Sequence, residues 1–235
     1  MKSILAFTAA LLLALPSVLH SQDTDPAPGN PFIKAAGEDD TAAMESLLAK
    51  GASINARDDI GATALLEAVR RDAHNAAVFL LEHGADPNIA SNRGSAPLGM
   101  AVFRKKPEAV RLLLRHGANP NFQGFADQSP LHRCALVDAP ESAKILLEAG
   151  AAVDLLDLDG NTPLHVAAMR GFADMVRLLL EKGASPAILN KAERTPLQEA
   201  VQADRKEVVK VFHSFLGENR RAPDAPKSQV PPPKP

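Results

Sequence analysis

The sequence predicts an all-α repeat solenoid, a stack of helix-turn-helix units with hairpin fingers between them, and two internal series carry that prediction. The first aligns NPFIKAA, TALLEAV, APLGMAV, SPLHRCA, TPLHVAA and TPLQEAV, which begin at residues 30, 63, 96, 129, 162 and 195, so every interval is 33 residues. The second places Gly51, Gly84, Gly117, Gly150 and Gly183 at the same spacing, each closing a phrase such as Leu80-Leu81-Glu82-His83-Gly84-Ala85. Two independent markers that keep register across most of the chain are not a compositional accident.

Taken in order, the chain opens on residues 1–21, read as a secretory signal peptide. Met1-Lys2-Ser3 supplies one positive charge, residues 4–15 are uncharged, and Pro16 breaks the run. A membrane-spanning helix needs about 20 apolar residues, and this run reaches about 16 even when extended to Leu19. Cleavage is therefore expected, most simply after Ser21, leaving no stable membrane anchor and placing the mature protein in the periplasm of a Gram-negative cell or outside the cell. Residues 22–29, QDTDPAPG, read as a polar tether. At the other end residues 218–235 read as a Pro-rich disordered tail, with a polyproline ligand as the competing reading; six prolines fall between Arg220 and Pro235.

Between the ends lies a repeat domain over 30–217, divided as 30–62, 63–95, 96–128, 129–161, 162–194 and 195–217. The fifth unit shows its logic. Thr162 can cap the orphan amides of a first helix, Pro163 has φ already fixed for the first turn, and Leu164, Ala167 and Ala168 give a slim apolar face. A breaker near Gly171 ends that helix. A second follows from about Asp174, with Met175, Val176, Leu178, Leu179 and Leu180 inward, and Gly183 suits a left-handed cap. In the third and fourth units Pro107-Glu108 and Pro140-Glu141 open the second helix. One such unit has too few large apolar side chains to offset its own ordering, so stacking must supply the rest.

The pattern T-P-L-H-x-A-A followed by L-L-x-x-G-A at 33 residues resembles the ankyrin repeat family, over residues 30 to about 217. Thr162-Pro163-Leu164-His165-Val166-Ala167-Ala168 matches at every fixed position, and Ser129-Pro130-Leu131-His132 nearly so. The second unit departs most, with Ala64 and Leu66 in place of Pro and His, and the third has Ala96 and Gly99. The first and last units read as polar-faced caps, the last lacking the Leu-Leu-x-x-Gly ending.

Composition narrows the chemistry. A formal net charge of −2 gives no global field toward nucleic acid, and with Trp and Tyr absent all nine aromatics are Phe. The single cysteine excludes an internal disulfide framework. Cys134 falls in a column otherwise filled by Ala35, Ala68, Ala101, Ala167 and Ala200, so it reads as a small buried side chain rather than a nucleophile. His132 and His165 stand at the T-P-L-H position, where the resemblance gives them a bracing role. His83 and His116, one period apart, are the remaining pair with a metal-binding reading, though no carboxylate or thiolate stands beside them. No phosphate loop, zinc spacing or nucleophile elbow occurs. A non-catalytic protein without cofactor or metal is expected; a metal-binding protein or hydrolase built on the stack is the rival.

In ankyrin-like stacks the finger tips and the outward side of the first helices line one face, where family partners usually bind. By register that side includes Arg70, Arg71, Met100, Phe103, Arg104, Arg133, Met169 and Arg170, with Ile60, Arg93, Phe125 and Leu158 at the tips. Large apolar groups interleaved with arginine are the composition of interface hot spots. The expected partner is another protein, bearing an acidic and apolar segment, with Arg71, Met100, Phe103, Arg104, Phe125, Arg133, Leu158, Met169 and Arg170 as its contacts. The bland alternative packs the tip apolars on neighbouring fingers and pairs the arginines with Glu67 and Asp72. A monomer that binds neither nucleic acid nor membrane is expected. By resemblance, exported bacterial members suggest envelope stress defence or toxin immunity, and an effector released into a host cell differs only in destination.

Overall fold

A computed structural model describes residues 30–219; the expected leader, tether and most of the tail lie outside the described residues. Twelve α-helices among them run as six pairs: α1 Pro31–Gly37 with α2 Thr41–Ala49, α3 Ala64–Arg71 with α4 His74–Glu82, α5 Pro97–Phe103 with α6 Pro107–Arg115, α7 Pro130–Val137 with α8 Pro140–Glu148, α9 Pro163–Arg170 with α10 Ala173–Glu181, and α11 Pro196–Gln202 with α12 Lys206–Asn219. The pairs stack in chain order, which makes the repeat body an all-helical solenoid.

Local sequence starts and stops each helix. Thr162 Oγ1 accepts the His165 amide at 3.3 Å, and Ser129, Thr63 and Thr195 cap α7, α3 and α11 in the same way. Ala96 offers no side-chain cap to α5, the departure noted in the third unit. The residues that follow the first helices, Asp39, Asp72, Lys105, Asp138, Gly171 and Asp204, all have positive φ, so the backbone repeats with the sequence period. Second helices end at Gly51, Gly84, Gly117, Gly150 and Gly183 with φ between 85° and 92°. A Cβ at these five glycines would meet nothing within 4 Å, so conformation rather than space selects glycine.

The fingers differ from the expected β-hairpins. Each is closed by a backbone bond donated by Asp58 to Ala62, Ser91 to Ser95, Gly124 to Gln128, Asp157 to Asn161 and Asn190 to Arg194, at 2.9–3.1 Å, and a turn bond inside it, such as Gly61 to Asp58 at 2.8 Å. An isolated bridge between Arg57 and Thr63 is the strand pairing found among the described residues. The arms are too short, between one second helix and the next N-cap, to extend a ladder.

Burial explains cohesion. The column Ala35, Ala68, Ala101, Cys134, Ala167 and Ala200 is buried throughout, and its small side chains let successive first helices approach. Leu80, Leu113, Leu146, Leu179 and Phe212 fill the core from the second helices. A polar column adds direction: the Oδ1 atoms of Asn55, Asn88, Asn121 and Asp154 accept the amides of Asp86, Asn119, Ala152 and Ser185 in the next unit at 2.7–3.1 Å. Packing leaves space between the second and third units. A cavity of about 280 Å³ opens there, lined by Ala73, Ala77, Ala109, Leu112 and Leu113 with Asp72 and Lys106 at its rim. The neighbouring interfaces carry Met44, Val110, Met175 or Val176 in those two columns, whereas this one pairs Ala77 with Ala109.

Candidate functional site

The first helices present one face, and its chemistry follows from how each column is buried. The column Lys34, Glu67, Met100, Arg133, Val166 and Glu199 looks half polar in sequence, yet most of it is shielded by the neighbouring helices. Met100 is 7% exposed and lies in the core, which corrects its expected place among the contacts. Glu67 and Glu199 tolerate burial in that column because they are paired. The Glu67 carboxylate accepts from Arg70 Nε at 2.7 Å, Arg70 Nη2 at 2.8 Å and Arg71 Nε at 2.8 Å. Glu199 Oε1 accepts from Asn190 Nδ2 at 2.7 Å and Arg194 Nε at 2.9 Å. Arg71, exposed at the edge of the face, is therefore engaged with its own unit, as the bland alternative held for Glu67. Asp72 pairs with Lys106 rather than with an arginine.

Toward the middle of the stack the face changes character. Phe103 and Met169 are half-buried in one column, which also supplies Leu136, and the adjacent column of Arg104 supplies Val137; sequence reasoning overlooked both although this register marks them. Around this apolar strip stand three guanidinium groups. Arg104 is exposed and donates through Nε to the Arg70 carbonyl at 2.9 Å, fixing it across the unit boundary. Arg133 is half-buried and lies over Gly99, whose added Cβ would sit 3.3 Å from Arg133 Cδ and Nε; a small residue there gives the side chain its bed. Arg170 is half-buried beside Met169, whose carbonyl accepts from Arg205 Nε at 2.9 Å. Glu67 and Glu199 in these columns are buried and paired, and the exposed Glu38 of the Arg104 column belongs to the first unit, so over the third to fifth units the first helices present a cationic side.

The finger tips add apolar surface. Phe125 is 64% and Leu158 55% exposed, and their fingers are joined by the Leu158 amide donating to the Ala126 carbonyl at 3.0 Å. Leu156 and Leu189, which the sequence reading left out, are exposed in one column of the fourth and fifth fingers, and Ile60 is exposed on the first. Tip side chains are thus not packed away on adjacent fingers. Arg93 is exposed on the second.

The histidines resolve individually. Ser129 N–H donates to His132 Nδ1 at 3.2 Å, and His132 Nε2 lies 2.9 Å from the Asn161 carbonyl, so the neutral ring carries its proton on Nε2 and ties the start of α7 to the finger that closes the same unit. His165 repeats this with Thr162 N–H at 3.1 Å and the Arg194 carbonyl at 3.0 Å. Burial holds both imidazoles below their ordinary pKa, against the carbonyls they face. His83 stacks on Phe79 with ring centroids 4.0 Å apart and bonds through Nδ1 to the Phe79 carbonyl at 2.7 Å. Among the described residues no group of three or more His, Cys, Asp or Glu side chains is placed to hold a metal ion. Burial pushes the Cys134 thiol far up, and its side chain is wholly enclosed, so it holds no thiolate near neutral pH. Among the described residues no helix is long and apolar enough to cross a membrane.

Comparison with known proteins agrees with this architecture. A family model described as ankyrin repeats in three copies matches residues 8–91, 32–124, 85–157 and 131–218, the first match reaching into the stretch expected to be leader and tether. The crystal structure of an ankyrin repeat domain from Acinetobacter baumannii AYE is similar with a TM-score of 0.73 and 31% identity, covering 79% of this chain and 97% of that one. No curated protein matches the sequence.

Proposed function

Because the chain belongs to the ankyrin repeat family, whose stacks generally mediate protein–protein interaction, we propose that it is a non-catalytic scaffold of the cell envelope that binds a protein partner across its third to fifth units. The observation that carries this reading is the apolar strip of Phe103, Leu136, Val137 and Met169 set among Arg104, Arg133 and Arg170, with Phe125 and Leu158 exposed at the neighbouring tips. A partner segment with apolar side chains flanked by carboxylates fits it: the apolar groups supply burial, and the guanidinium groups supply bidentate bonds and orientation. The stack is preformed, so docking orders little beyond side chains and a few anchors suffice. The envelope assignment rests on the charge, apolar run and break of residues 1–21.

Osmotic-shock fluid should release a mature chain beginning near Gln22, and that material serves as bait on envelope extract beside an Arg104→Glu, Arg170→Glu double variant. Both baits should show the same helical circular dichroism, and the variant should retain about a tenth or less of the captured partner. Equal capture by the two baits would sink the placement of the face. Recovery of an unprocessed chain in the cytosol would remove the envelope assignment while leaving the face intact.

A further inference from the structure

The two ends of the stack are not alike. Ala36, Val69, Val102, Ala135 and Ala168 form one column of the first helices and are 0–5% exposed, whereas Val201, next in the column on α11, is 60% exposed. Two other columns repeat the contrast. Phe32, Leu65, Leu98, Leu131 and Leu164 are buried and Leu197 is partly exposed; Met44, Ala77, Val110, Ala143 and Val176 are buried and Val209 is partly exposed. The last pair has a neighbour behind it like the four pairs before it, so what it bares is the surface that the following pair covers elsewhere. That surface carries no charge along α11. Leu197, Gln198, Val201 and Gln202 face outward, and the helix's one charged residue, Glu199, is buried against Asn190 and Arg194.

The opposite end is finished differently. On α1 the exposed Lys34 and Glu38 pair at 3.8 Å, and α2 sets Glu45 and Ser46 outward. Ser46 occupies the column that later holds Phe79, Leu112, Ile145, Leu178 and Val211. A head-to-tail array of copies would press the Lys34–Glu38 pair onto Val201 and Leu197, which strips an exposed ion pair of water without offering it a new polar contact. A two-fold arrangement centred on α11 avoids that conflict, since it sets valine and leucine against their own kind beside neutral glutamine amides and leaves the exposed Arg205, Lys206, Glu207 and Lys210 to the rim.

We propose that the α11–α12 end of the stack is a self-association surface, on which a second copy of this chain packs its own α11–α12 end about a two-fold axis. The contact continues the interface already repeated between units, with the two-fold partner in place of a seventh unit. It departs from the monomer expected from sequence. It also lies apart from the arginine-lined face, so each dimer presents two copies of that face.

Sedimentation equilibrium of the protein expressed with its own leader, over about 1 to 100 μM, tests the proposal. A reversible dimer is expected. Val201→Glu should weaken it by about tenfold or more, because the contact would enclose an unpaired carboxylate on each side. Gln202→Lys should weaken it as well by facing like charges across the axis, which distinguishes a surface effect from misfolding of one variant. Both positions are exposed in the single chain, so circular dichroism should not move, and the thermal midpoint should fall no further than that of the dilute, monomeric wild type. A monomer throughout the range overturns the proposal, and so does a dimer that both variants leave unchanged.

Discussion

Replacing His132 by alanine tests how much of the stack rests on its bridging imidazoles. The ring is fully enclosed and holds two backbone groups at once, the Ser129 amide at 3.2 Å on Nδ1 and the Asn161 carbonyl at 2.9 Å on Nε2. Truncation leaves both in a site where Ser129 is 1% and Asn161 6% exposed. A buried backbone group stripped of its partner costs about 1–3 kcal/mol, so two orphans place the loss at about 2–4 kcal/mol once partial relaxation is allowed. That is a large part of the roughly 5–15 kcal/mol by which a folded domain exceeds its unfolded state. Urea unfolding followed by far-ultraviolet circular dichroism near neutral pH measures it. A loss smaller than about 1 kcal/mol would refute the bridging argument, since water or the Ser129 hydroxyl would then be shown to replace the ring at little cost.

Two further outcomes follow from the same structure. Because burial holds His132 and His165 below their ordinary range, the unfolded chain binds more protons than the folded one between the folded value and about 6.5; stability is full above about pH 6.5 and falls on acidification through it. A urea midpoint that stays level or rises over that interval would contradict it. Ala77→Val, which gives the second unit the side chain found at Val110, Val176 and Val209, should fill part of the 280 Å³ cavity and raise stability by about 0.5–1.5 kcal/mol. A lowered thermal midpoint would mean that the space is closed by motion in solution.

The helices were legible because their signals are local. Thr162 before Pro163, Gly171 and Gly183 act on their own turns, and the 33-residue interval multiplies each signal across the units. Lys105 shows the limit: a left-handed lysine carries no sequence mark, and register with Gly171 alone reveals it. The candidate face was read less well for a comparable reason. Glu67 and Glu199 make the column of Met100 look solvent-facing in sequence, whereas in the structure arginine and asparagine partners let carboxylates sit where Met100 is buried. Leu136 and Val137 carry neither charge nor an aromatic ring, so only the columns they share with Phe103 and Arg104 mark them. The fingers are not paired strands, because strand pairing depends on arm length, which the flanking helix ends decide.

The amide column of Asn55, Asn88, Asn121 and Asp154 makes the array extensible in principle, since each member serves the residue 31 positions onward and nothing farther. Duplication or loss of one 33-residue block within it would therefore leave every remaining rung with its acceptor, and the gene could lengthen the binding surface without redesigning the core. The series stops at Ala187, which occupies the next place and has no side-chain oxygen to offer. The tie therefore joins the first five units and leaves the sixth to packing and the contacts of its neighbouring finger.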